Sequence, residues 1–118
     1  MTNAKVTVYH KPTCTTCRKL WKLLEAQGID ARAVDYFLEP LGRDDLARVL
    51  RKAGLGPQDV LRARAPEYKA LGLKDSGLSD GELLDLLAEH PNLLERPIVV
   101  RGARAVLARP VERVLELF

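Results

Sequence analysis

The run Lys5-Val6-Thr7-Val8-Tyr9-His10-Lys11-Pro12-Thr13-Cys14-Thr15-Thr16-Cys17-Arg18 sets the reading of the whole chain. Lys5 to His10 is rich in β-formers and predicts a strand, which Lys11-Pro12-Thr13 interrupts. From about Thr15 to Gln27 the apolar positions Cys17, Leu20, Trp21 and Leu24 recur at helical spacing, and Gly28 is placed to end the helix. Cys14 therefore stands where strand turns into helix. A thiol there faces the unbonded N–H groups of the first turn and the positive end of the helix dipole, and both favour thiolate over thiol. His10, Lys11 and Arg18 add positive charge or donors close by, so a lowered pKa and a reactive sulfur are expected. Thr15 and Thr16 offer hydroxyls that could steady an anion or the sulfur.

Outward from this run, Ala31 to Leu38 reads as a second strand, giving a β-α-β unit of the kind that is nearly always parallel and right-handed. Leu46, Val49, Leu50 and Ala53 then share a helix face, with Asp44 and Asp45 in its first turn and Gly54 at its end. Pro57 to about Ala63 suggests a short helix and Glu67 to Gly77 is less regular. Ser79-Asp80-Gly81-Glu82 is a capping box that opens a helix to about Leu87. Arg96-Pro97-Ile98-Val99-Val100 predicts a strand, Gly102-Ala103 a tight turn, and Arg104 to Arg109 the returning strand. Pro110 suits the N1 position of a last helix with Val111, Val114, Leu115 and Phe118 on its buried face. A β-α-β followed by a β-β-α is the plan of a thioredoxin-like α/β fold with a mixed four-stranded sheet. The expectation is a single such domain over residues 1–118, with a helical subdomain inserted at about 43–90.

Composition bounds the partners. At 118 residues the chain is one domain's worth, and a core of that size buries roughly two thirds of the unfolded surface. The hydrophobic share of 47% is ordinary, so neither metal nor disulfide is needed to explain folding. A net charge of +3 is too mild to argue for nucleic acid. The base is mostly Arg, 12 against 7 Lys, and the Arg fork suits oxyanions, although genome composition alone produces such a bias. No apolar run approaches the roughly 18–20 residues of a membrane span, and Met1-Thr2-Asn3-Ala4-Lys5 leads straight into the first strand without a signal-peptide core. A cytoplasmic monomer is expected. In that compartment a close cysteine pair points to redox, catalysis or metal rather than to a structural bridge. Zinc requires four ligands, and two Cys with His10 and the distant His90 do not supply a convincing set, so no metal is expected.

Two readings of Cys17 stay open: a resolving thiol for Cys14, or core packing on the apolar helix face. Phosphatase-like oxyanion enzymes with a Cys-x5-Arg loop are excluded, because Leu20 and Leu23 stand six residues after the two cysteines. Any anion must be held by arginines distant in sequence. Arg96 precedes Pro97, at the place where thioredoxin-like folds carry a cis proline facing the cysteine; Arg109 closes the hairpin, and Arg62 lies in the middle segment. Spacing alone is equally that of solvated surface arginines.

The motifs lift this ambiguity. The chain resembles the glutaredoxin-coupled arsenate reductases of the ArsC type over essentially its whole length. His10-Lys11-Pro12-Thr13-Cys14 is similar to their His-x-Pro-x-Cys nucleophile loop. Arg62 with Tyr68-Lys69-Ala70-Leu71-Gly72-Leu73, His90 to Val100 with Arg96, and Arg104 to Pro110 with Arg109 resemble the stretches of their three anion-binding arginines. The resemblance implies an enzyme in which Arg62, Arg96 and Arg109 orient arsenate and the Cys14 thiolate attacks arsenic. His10 would help keep Cys14 ionised, and glutathione and glutaredoxin would complete the reduction, with no bound cofactor. Members of that family often carry Ser at the place of Cys17. Cys14-Thr15-Thr16-Cys17 is similar instead to the Cys-x-x-Cys of the Spx-type redox regulators that bind RNA polymerase, which makes such a regulator the alternative. Those regulators lack an Arg before the last helix and lack the His-x-Pro approach, so Arg109 and His10 favour the enzyme. Cys17 also opens the way to thioredoxin as electron donor.

Overall fold

The computed structural model describes residues 5–118, and the reading of residues 1–4 as a short lead lies outside them. The chain divides into two compact units, one running to Glu39 and resuming at Arg96, the other spanning Pro40–Glu95.

The first unit is built on β1 (Val6–His10), α1 (Thr15–Ala26), β2 (Arg32–Asp35), β3 (Ile98–Arg101) and β4 (Arg104–Leu107). The sheet order is β2-β1-β3-β4, with β1 parallel to β2 and antiparallel to β3, and β3 antiparallel to β4. This mixed four-stranded sheet with its β-α-β and β-β-α halves is a thioredoxin-like fold. Alternation along β1 buries Val6, Val8 and His10. Val6 and Val8 join Leu20 and Leu24 of α1, Val99, Val106 and the C-terminal segment in one core cluster. Each fully buried Val or Leu there contributes about 1.5–3 kcal/mol. Arg101 pairs with Arg104 across the Gly102-Ala103 turn, where Gly102 takes a φ of 59° that favours glycine.

Two expectations need correction. The second strand ends at Asp35, because the Asp35 carboxylate accepts the Phe37 N–H at 3.0 Å and its carbonyl accepts the N–H groups of Leu38 and Glu39, which curls the chain out of the ladder. The last helix, Val111–Leu117, is a 3₁₀ helix with Pro110 as its N-cap rather than N1. Three residues per turn align Val111, Val114 and Leu117 on the buried face, whereas Leu115 and Phe118 are 41% and 49% exposed.

In the second unit, α2 (Arg43–Ala53) buries Leu46, Val49 and Leu50, and Gly54 ends it at a φ of 69°. A 3₁₀ turn follows at Pro57–Val60, then the short α3 (Pro66–Ala70) and α4 (Asp80–Glu89). The predicted capping box forms: the Ser79 hydroxyl accepts the Glu82 N–H at 3.2 Å and the Glu82 carboxylate accepts the Ser79 N–H at 3.1 Å. α2 packs on α4, and Arg43 pairs with Asp85 at 2.7 Å. No helix among the described residues is long and apolar enough to cross a membrane.

Candidate active site

Register explains why distant residues meet. His10 pairs with Asp35, Tyr9 with Ile98, and Ile98 with Leu107. The loop after β1, the turn after β2, the residues before β3 and those after β4 therefore leave the sheet at one end. That end receives Cys14, Tyr36 with Phe37, Arg96 and Arg109.

Cys14 is the N-cap of α1 and is half-buried; Cys17, in the same first turn, is fully buried, and both are free thiols. The Cys14 sulfur makes no strict cap bond. Burial disfavours its charge, but the Cys17 N–H, the Cys17 thiol, the Arg96 guanidinium and the Thr16 N–H outweigh burial and bring its pKa from 9.0 down to about 7. Cys17 is moved the other way. Burial pushes it up to about 12, against the Lys11 N–H and reinforced by the hydrogen bond it makes with Cys14. At neutral pH the pair thus holds one readily formed thiolate and one proton, with Cys17 S–H donating to Cys14. Thr15 is exposed and Thr16 half-buried in the first helical turn.

Arg96 is only 5% exposed and its peptide bond to Pro97 is cis. Burial works against its charge, yet Tyr36 and the hydrogen bond to Cys14 raise its pKa further. Its guanidinium lies 5.8 Å from the Phe37 ring centre, and the Lys11 ammonium lies 4.7 Å from the same ring. Arg109, before a second cis proline, donates from Nη1 to the Arg96 carbonyl oxygen at 2.7 Å. Its guanidinium is thereby anchored on the backbone that carries Arg96.

Of the two contributions expected of His10, charge or a hydrogen bond, its surroundings favour the second. Its Nδ1 accepts the Trp21 Nε1–H at 3.1 Å, and burial lowers its pKa despite the Asp35 carboxylate. It is a neutral imidazole whose proton sits on Nε2. Arg62 belongs to the second unit. There its N–H donates to the Leu93 carbonyl at 2.7 Å and its Nη1 to Asn92 Oδ1 at 3.3 Å, while Asn92 donates to Glu67 at 3.1 Å. Among the described residues no group of three or more His, Cys, Asp or Glu side chains could hold a metal ion.

Sequence reading missed Tyr36 and Phe37 as partners of Arg96, and Trp21 as the partner of His10. The available signal was an Asp followed by two aromatics at the end of the strand that flanks the nucleophile strand, together with a lone Trp one helical turn after Cys17.

An activated thiol at a helix N-terminus, hydrogen-bonded by a buried arginine that precedes a cis proline and is braced by a second arginine, defines a thiol protein of the thioredoxin-like class. The chain belongs to the ArsC family, whose model matches residues 9–117. It is similar to an arsenate reductase from Rhizobium meliloti (strain 1021), 38% identical over 95% of this chain and 80% of that one. It is also similar to the protein YfgD of Escherichia coli (strain K12), 35% identical over 96% of each. Among solved structures, an arsenate reductase from Vibrio cholerae superposes with a TM-score of 0.92 and 39% identity, covering 99% of this chain and 100% of that one. These relatives favour the enzyme over the Spx-type regulator.

Proposed function

We propose that this protein is a cytoplasmic, monomeric arsenate reductase with Cys14 as its nucleophile. The observation that carries the reading is the Cys14 thiolate, brought to a pKa of about 7 with the buried Arg96 guanidinium hydrogen-bonded to it. Arg96 and Arg109 receive the arsenate oxyanion at the helix N-terminus, where Thr15 and Thr16 present hydroxyls. The family resemblance implies an anion-binding role for Arg62 as well. The Cys14 sulfur attacks arsenic(V), and one arsenic–oxygen bond breaks with loss of water, leaving a sulfur–arsenic(V) adduct. A second thiol then attacks the Cys14 sulfur. The sulfur–arsenic bonding pair passes to arsenic, arsenite leaves, and two thiols have become one disulfide.

The second thiol is glutathione or Cys17. Glutathione would give a mixed disulfide reduced by glutaredoxin, and Cys17 would give an internal disulfide reduced by thioredoxin. The contact between the Cys17 and Cys14 sulfurs supports the internal route. His10, neutral and held by Trp21, serves as a hydrogen-bond donor to the nucleophile loop rather than as a counter-charge. No bound cofactor is invoked. The test is arsenate-dependent NADPH oxidation, run once with glutathione, glutaredoxin and glutathione reductase, and once with thioredoxin and its reductase. Turnover with thioredoxin alone assigns Cys17 as the resolving thiol; turnover that requires glutathione assigns the external route; none with either rejects the reading.

A further inference from the structure

We infer that Tyr36 is a positioning residue, whose hydroxyl holds the Arg96 guanidinium on the Cys14 sulfur without neutralising it. Tyr36 is 2% exposed and Arg96 5%, and the two side chains are hydrogen-bonded, the Arg96 N–H donating to the phenol oxygen. The Tyr36 ring stacks at a tilt on Phe37, centres 5.1 Å apart, and Phe37 in turn lies 5.8 Å from the Arg96 guanidinium. Two consecutive residues of one turn thus hold the same guanidinium, one by its hydroxyl and one by its ring.

A buried guanidinium needs acceptors for its five N–H groups. A carboxylate would meet that need but would cancel the charge wanted by a thiolate and an oxyanion. Burial keeps the Tyr36 phenol protonated, with its pKa at about 12, so it accepts while remaining neutral. The charged and titratable groups around it are Arg96, Cys14, Cys17 and, across Phe37, Lys11. The inference rests on Cys14 and Arg96 being the reactive pair of the proposed enzyme, but not on arsenate as the substrate.

Tyr36→Phe keeps the ring and removes the hydroxyl. Thiolate absorbance across a pH titration should show the Cys14 pKa raised by about half a unit to one unit, the scale of one altered hydrogen bond to a charged partner. In an Arg96→Gln background the same change should leave the Cys14 titration where it is, since the effect passes through Arg96. An unshifted titration in the single variant, or an equal shift without Arg96, overturns the inference. If Tyr36→Phe does not fold, the wild-type protein still decides. Separate, slowly exchanging NMR signals for the Arg96 Nη protons are expected of a held guanidinium, and averaged signals overturn the inference. The titration needs no substrate, so a protein that fails to reduce arsenate would reject the proposed function alone.

Discussion

Arg109 braces Arg96: its Nη1 donates to the Arg96 carbonyl oxygen at 2.7 Å. One arginine therefore fixes the backbone from which the other reaches the nucleophile. The two have separable tasks, since Arg96 is the one hydrogen-bonded to the Cys14 sulfur.

Arg109→Ala should lower kcat/KM for arsenate by about 10²–10³-fold, the scale of one lost oxyanion donor. Its Cys14 titration should stay much closer to wild type than that of Arg96→Ala. Steady-state kinetics paired with thiolate absorbance in both variants separates the roles, and identical titration shifts would show that they are not separable.

The rate of Cys14 alkylation by iodoacetamide should be half-maximal near the thiolate's pKa of about 7. Loss of the guanidinium in Arg96→Gln should carry that midpoint toward 9.0, the ordinary value. A midpoint near 9.0 already in the wild type would remove the basis for an activated nucleophile.

Cys17→Ala deletes the thiol that donates to Cys14, so the Cys14 pKa should rise. Turnover supported by thioredoxin should be lost, while turnover supported by glutathione and glutaredoxin persists. Thioredoxin-supported turnover surviving in this variant would eliminate Cys17 as resolving thiol.

Burial holds the His10 pKa below 6.5 in the folded protein. As pH falls, the unfolded chain takes up this proton first. The stabilising contribution is complete above about 6.5 and is lost as pH drops through the folded value. Urea unfolding at mildly alkaline and mildly acidic pH should show this loss, and His10→Gln should flatten it. An equal acid loss in His10→Gln would place its origin elsewhere.

The 3₁₀ form of the last helix makes a stability prediction. Leu117→Ala, at 4% exposed, should cost about 2–5 kcal/mol, whereas Leu115→Ala, at 41% exposed, should cost about 0.5 kcal/mol or less. Chemical denaturation of the two variants measures both, and a reversed order would restore an α-helical phase for the segment.

What was legible in the sequence was local. The Val6–His10 alternation, the Pro12 break and the spacing of Cys17, Leu20 and Leu24 place Cys14 at a helix start within a single window of the chain. Gly102-Ala103 likewise marks its own hairpin. Tyr36 was not legible, because it follows β2 while its partner Arg96 precedes β3, far along the chain, and only sheet register brings them to one end. The exposed Leu115 and Phe118 were placed on the buried face because a period of 3.6 was assumed where the chain winds with three residues per turn. Whether His10 offers charge or a hydrogen bond stayed open, because a sequence does not show that the Trp21 indole donates to its Nδ1.

The measurement that decides most directly is arsenite formed in a single turnover. The reduced protein would be mixed with arsenate and excess glutathione, and arsenite quantified against time for wild type and Cys14→Ser. Arsenite produced in stoichiometric amount by the wild type, and absent from a folded Cys14→Ser, is the result expected of a Cys14 arsenate reductase. Equal arsenite from both proteins, or none from the wild type, would contradict it.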